Sequence, residues 1–168
     1  MTRSKLHAVV RNGALLGVPP LVLSLSLWGL LPVAYSPAVF WDGVPSWLGL
    51  CENVARIVVF ALPIVLCFGA STPAHRAGWV VYGAGVVAYA ASYLLLVAWP
   101  SSAWATSLVG FTAPGWSTAI WFAGIAMVCR DSWLVARWRW WFYLVPVAGF
   151  LGFHLAHAAL IWSRLPAS

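Results

Sequence analysis

The chain has 168 residues, 63% of them hydrophobic and 7% charged, with nine Lys or Arg against three Asp or Glu and a net charge of +6. A soluble domain is about one-quarter charged, so the composition excludes a water-soluble globular fold. The bases flank long apolar runs and form no dense patch, which argues against nucleic acid as a partner.

Five apolar runs follow in chain order, at 14–34, 53–70, 78–99, 112–129 and 140–162. Each is near the ~20 residues that carry a helix across a bilayer, and a crossing segment must satisfy its backbone internally. The expected fold is all-α, an integral membrane bundle of five transmembrane helices in one domain. Membrane lipids are its expected surroundings, and a prokaryotic cell membrane its expected setting. The stretch after Arg3, Lys5 and Arg11 is long for a signal peptide and contains Pro19-Pro20, so it reads as a mature helix.

Charge sets the expected orientation. With five spans, Arg3, Lys5, Arg11, Arg76, Arg130, Arg137 and Arg139 share one side, seven of the nine bases. The positive-inside rule then puts the N-terminus in the cytoplasm and the C-terminus outside. Tryptophans gather at both boundaries, Trp79, Trp133, Trp138, Trp140 and Trp141 inside, and Trp41, Trp47, Trp99, Trp104, Trp116 and Trp162 outside. Indole rings favour the headgroup level, so belts account for most of them.

Small residues mark expected packing stripes: Gly13 and Gly17 at the first run, Ala84, Ala88, Ala91 and Ser92 in the third, and Ala148, Gly152 and Ala156 in the fifth. Packing within the chain is their first use, with a homodimer as the alternative. Pro63 and Pro146 are expected to kink their helices. Cys51, Cys67 and Cys129 form no Cys-x-x-Cys pair, leaving no basis for a thiol relay.

Ionisable residues at membrane depth are costly and by default mark a functional site. Glu52 and Asn53 begin the second run and Arg56 lies one turn deeper. At 1.5 Å per residue, His157 and His154 lie ~7 and ~12 Å below the outer end of the fifth run, and Tyr93 and Tyr89 ~9 and ~15 Å below that of the third. Ser117 and Thr118 enter the fourth run at a similar level. Each group has a plainer use. Glu52 and Arg56 can pair at i,i+4, the histidines can bond to neighbouring helices, and the tyrosines can pack. Ser117 and Thr118 can cap a helix after Pro114-Gly115, and Asp42 can form a turn with Gly43.

No metal or cofactor is expected. His154 and His157 share one helix while His7 and His75 lie at the other side, which disfavours bis-histidine haem. A zinc ion on His154, His157 and Glu52 lacks a fuller ligand set. The only lysine, Lys5, precedes the first run, which excludes a retinal Schiff base.

Five spans, this length and the many tryptophans resemble the tryptophan-rich translocator protein family in outline. That family's Pro-Tyr element has no counterpart in the fifth run, where Val147 follows Pro146, and no residue role is carried over.

The first functional reading is a membrane-embedded enzyme that moves protons on a lipid or isoprenoid-like substrate, by isomerisation or cyclisation. Glu52, His154 and His157 would be its acid and base groups. Arg56, Asn53, Tyr89, Tyr93, Ser117, Thr118 and Asp42 would bind substrate. A second reading keeps the pocket but makes it a binding or transport site for a small hydrophobic or amphipathic ligand. A third makes the chain an accessory subunit whose polar cluster docks a partner helix.

Overall fold

The computed structural model describes residues 11–165; Arg3, Lys5 and His7, which enter the charge and haem readings, lie outside the described residues. The chain is mostly helical. Among the described residues, four helical segments are long and apolar enough to cross a membrane: Gly13–Leu30, Ser46–Val65, Pro73–Ala98 and Trp141–Trp162. These lengths and compositions are those of an integral membrane protein.

The first segment starts as a 3-10 turn, Gly13–Gly17, with Asn12 Oδ1 accepting from the Ala14 N–H. It continues as α1, Val18–Leu27, with Pro19-Pro20 in the first turn where a missing N–H costs nothing. A short helix α2, Pro37–Phe40, follows. The second segment is α3, Ser46–Ala61, ending in a 3-10 turn at Leu62–Val65. Pro63 lies in that turn, because proline lacks the N–H that would continue the α-helix. The third segment is α4, Pro73–Ala98, capped by Thr72 Oγ1 on the His75 N–H.

Three one-turn helices come next: α5, Ala103–Thr106, α6, Leu108–Phe111, and α7, Ala113–Trp116. Ser102 and Ser107 cap the first two through Oγ. Helix α8, Thr118–Val128, completes an apolar stretch, Ala113–Val128, that is shorter than the four spanning segments. The last helix is α9, Trp141–Trp162, which contains Pro146 without interruption.

Several sequence boundaries shift. The second helix begins at Ser46 and not at residue 53, so Glu52 sits nearly two turns inside it. Pro45 precedes that start, and Ser46-Trp47-Leu48 is helix-compatible although Trp47 reads as a belt residue. The all-α expectation gains a minor exception: β1, Leu66–Cys67, pairs antiparallel with β2, Asp131–Ser132. Strand pairing satisfies backbone where the chain leaves α3 and α8, and Asn12 bridges to Cys67 beside it.

Helix α4 packs along α8 over most of its length. Glycine is required there: a Cβ on Gly85 would overlap the Trp121 backbone, one on Gly124 would come within 2.5 Å of Tyr82 Cα, and one on Gly78 within 2.8 Å of Val128 Cγ2. Around this seam Trp121, Phe122, Ile125, Val128, Tyr143, Val147 and Phe150 form the main core. Tyr82 ties it to the first segment by donating to the Leu16 carbonyl at 2.7 Å.

The packing stripes need correction. Ala84 and Ala91 are exposed, and so are Ala148, Gly152 and Ala156. Helix α9 turns its large residues inward, namely Tyr143, Val147, Phe150, His157 and Ile161, which leaves the small ones outside. Gly13 does pack closely, its Cβ position lying 2.9 Å from the Pro63 carbonyl oxygen, whereas a Cβ on Gly17 meets nothing among the described residues within 4 Å.

Candidate functional site

Helices α3 and α9 pack against each other through a polar cluster. Glu52 has no exposed surface, although it is ionisable. A buried carboxylate is tolerable only when paired and hydrogen-bonded, and Glu52 has three partners. Arg56, one turn along α3, pairs with Oε1. From α9, His154 Nδ1 lies 2.9 Å from Oε1 and His157 Nδ1 lies 2.6 Å from Oε2. The i,i+3 spacing of the histidines places both on the face that meets α3.

A further contact fixes the proton inventory. His157 Nε2 lies 2.7 Å from the Phe40 carbonyl oxygen. A carbonyl only accepts, so Nε2 carries a hydrogen. His157 Nδ1 then either donates to a Glu52 carboxylate or accepts from a protonated Glu52. In both cases one proton is shared between Glu52 Oε2 and His157 Nδ1, and with Arg56 the three groups carry one net positive charge. His157 is fully buried and enclosed by Phe40 and Trp41, whose rings lie 4.5 and 4.7 Å from its own.

His154 differs. Its side chain is 24% exposed, and among the described residues Nδ1 alone is engaged. Its ring stacks on Phe150 with centroids 5.4 Å apart and 13° between planes. Arg56 also sits over the Phe150 ring, at 5.8 Å, and donates to Asn53 Oδ1 at 3.1 Å. His154 Cδ2 and Nε2 face Gly115, whose Cβ position would lie 3.1 and 3.5 Å from them. Gly115 thereby keeps this imidazole edge open.

His154 and Arg56 line a cavity of about 180 Å³ with Trp28, Tyr93, Thr112 and Trp41 among its other walls. A second cavity of about 460 Å³ lies beyond Tyr35 and Phe111, which line both. Their rings stack at 4.7 Å, and the Tyr35 hydroxyl donates to the Phe111 carbonyl at 2.7 Å. Burial pushes the Tyr35 phenol above its usual range, so it remains a donor.

Glu52, Arg56, His154 and His157 are thus brought together, and Tyr93 joins them on the cavity wall. Tyr89 stands behind it, its hydroxyl donating to the Tyr93 hydroxyl at 3.1 Å. The remaining sequence candidates lie elsewhere. Asn53 is exposed and touches the cluster only through Arg56. Thr118 is buried with its hydroxyl on the Gly115 carbonyl, and Ser117 is buried with no partner for its Oγ among the described residues. Neither side chain caps α8. Asp42 is exposed in a turn completed by Gly43 at φ +61, and its carbonyl accepts from Arg164.

Phe40, Trp28, Tyr35, Phe111 and Thr112 belong to the site without being singled out from sequence, and Trp41 belongs to it although it reads there as a belt residue. Ser36-Pro37 and Asp42-Gly43 bracket a one-turn helix by start and stop chemistry, which could have located Phe40 and Trp41. Among the described residues, no group of three or more His, Cys, Asp or Glu is arranged to hold a metal ion. Comparison with family models, with curated proteins and with solved structures finds no match to this chain.

Proposed function

We propose that the chain is a membrane-embedded enzyme that moves protons on a lipid or isoprenoid-like amphiphile at the cavity beside His154. The observation that carries this reading is the division of labour around Glu52. Both carboxylate oxygens and both nitrogens of His157 are engaged inside the protein, while His154 lines the cavity and its Nε2 has no hydrogen-bond partner among the described residues. Hydrogen bonding of Nδ1 to the carboxylate fixes the tautomer of neutral His154 with its lone pair on Nε2. That nitrogen is the general base, and its protonated form is the general acid.

In an isomerisation, His154 Nε2–H gives its proton to one carbon of a double bond. The resulting neutral Nε2 removes a proton from a neighbouring carbon, the double bond shifts, and the enzyme returns to its starting state. The Glu52 carboxylate stabilises the imidazolium, and Arg56 and His157 stabilise the carboxylate. Tyr93 and the indoles of Trp28 and Trp41 offer ring faces to a transient cation.

The net positive charge of the Glu52–Arg56–His157 group favours a substrate with an anionic or strongly accepting head. A cavity of about 180 Å³ is below the ~300 Å³ at which pockets enclose drug-sized ligands. Only the head and the reacting bond fit, and the chain of the amphiphile stays in lipid.

The same proposal includes five spans with a cytoplasmic N-terminus. The stretch Ala113–Val128 reaches ~24 Å and needs the turn of α6 to approach the ~30 Å of the hydrocarbon core. Arg130, Arg137 and Arg139 then face the cytoplasm and the Glu52 cluster lies in the outer half.

The alternative is a binding or transport protein using Arg56 to hold an anionic head. The engagement of every Glu52 and His157 polar atom favours it, since a fully satisfied cluster can also be a rigid scaffold. Incubating the purified protein with a membrane lipid extract in deuterated water separates the two. An enzyme places solvent deuterium on a bound lipid, detected by mass spectrometry, and His154→Gln abolishes the label. A lipid that binds without acquiring deuterium establishes the binding protein instead.

A further inference from the structure

A second charged cavity lies at the other end of α9. His154 is ~20 Å from the start of that helix by its rise per residue, so the two sites are far apart. Arg130, Arg137, Arg139, Trp138 and Trp140 line a cavity of about 350 Å³ between the end of α8 and the start of α9. The three arginines are exposed. Among the described residues their guanidiniums make no hydrogen bond or ion pair, unlike those of Arg11, Arg56 and Arg164, which hold partners. Asp131, the one acidic residue of the loop, is exposed and pairs with none of them.

Three like charges around one hollow repel one another, so the loop must be held in place. It is. The β1–β2 pairing fixes Asp131 and Ser132, and Ser132 Oγ donates to the Val65 carbonyl at 2.9 Å. Trp133 Nε1 donates to the Ile64 carbonyl, and Trp138 Nε1 to the Cys129 carbonyl. Helix α9, 22 residues long, adds the positive end of its dipole.

We infer that this cavity binds the phosphodiester of an anionic phospholipid. Guanidinium forks match phosphate oxygens in bidentate pairs. The apolar side chains beside them select a lipid over a free anion: Trp133, Leu134 and Trp140 are 61%, 65% and 49% exposed on the same loop. An occupant with a charged head and an apolar body satisfies both sets.

The test adds phosphatidylglycerol, phosphatidylcholine or inorganic phosphate to the full-length protein in mild detergent and counts bound molecules by native mass spectrometry. Each base near an anionic headgroup contributes roughly fivefold in affinity. Retention of phosphatidylglycerol over phosphatidylcholine is therefore expected to reach at least about tenfold and to vanish in Arg130→Gln/Arg137→Gln/Arg139→Gln. Replacing all three by Lys keeps the charge and the topology signal but loses the fork, and retention should fall several-fold. This variant carries the test if the Gln variant does not insert. Equal retention of the two lipids, unchanged retention in the Lys variant, or displacement of the lipid by millimolar inorganic phosphate would each overturn the assignment.

Discussion

Two seams hold the bundle together, and they are made of opposite materials. Between α4 and α8 the contact is backbone on backbone, with Gly78, Gly85 and Gly124 removing the side chains that would keep the helices apart. Between α3 and α9, Glu52 reaches across to two imidazoles, with no exposed surface of its own. Close packing suffices for helix association in lipid, so the first seam needs nothing polar. The polar seam is not the cheapest way to join two helices. Its buried acid, two histidines and arginine stand where a cavity opens, which is the arrangement expected of a site.

The largest effect should come from Glu52→Ala. Removing one partner of a buried charge set leaves Arg56 and His157 uncompensated, a loss of about 3–5 kcal/mol, measurable as a lowered thermal midpoint in detergent. Glu52→Gln sharpens the comparison. The amide can still accept from His154 and donate to His157 Nδ1, so stability should fall far less. The carboxylate charge that stabilises the His154 imidazolium is gone, however, and deuterium transfer should stop. If both variants unfold alike, the seam is structural only.

The apolar seam should break more gently, through Gly85→Ala. The added methyl meets the Trp121 backbone, which cannot swing aside, and overpacking of this kind costs about 1–3 kcal/mol. Gly83→Ala, two residues earlier on the same helix with nothing among the described residues within 4 Å, should instead stabilise by about 0.5–1 kcal/mol. Equal responses of the two variants in thermal unfolding would mean that α4 and α8 do not touch as described.

The two histidines divide the polar seam itself. His157→Gln loses the link to Phe40 or the link to Glu52, and buried hydrogen bonds to charged groups contribute about 1.5–3 kcal/mol each. His154→Gln removes a group that is 24% exposed and bonded at one nitrogen. Stability should drop for His157→Gln and hardly change for His154→Gln, whereas label transfer should be lost in the latter. Circular dichroism melts read the first difference and lipid mass spectrometry the second.

These contrasts show what the sequence could and could not tell. The long apolar segments are legible because bilayer thickness imposes a length, and helical spacing puts His154 and His157 one turn apart on the last of them. Convergence of Glu52, Arg56, His154 and His157 depends on helix rotation, which spacing along separate helices does not fix. The start of α3 at Ser46 is hidden in the sequence because polar Glu52 reads as a boundary when it is interior. Ala148, Gly152 and Ala156 had the spacing of a packing face, but rotation of α9 is decided by Phe150, Val147 and His157, larger groups with more to bury. Phe40 entered through a backbone carbonyl, which no side-chain pattern reveals.

The smallest effect concerns the wall between the cavities. Tyr35→Phe keeps the ring stacked on Phe111 and removes only the hydroxyl bond to the Phe111 carbonyl. Such a bond contributes about 1 kcal/mol, and the carbonyl left behind is part of a one-turn helix whose neighbouring bonds persist. Stability should therefore fall by no more than about that amount. Access should change more than stability, because the residues that separate the cavity of about 180 Å³ from the one of about 460 Å³ would be held by stacking alone. If a lipid head enters from the larger cavity, Tyr35→Phe speeds label transfer without altering the amount of lipid retained. If it enters from the side of Trp28, transfer is unchanged, and the Tyr35–Phe111 pair is simply the end wall of the site.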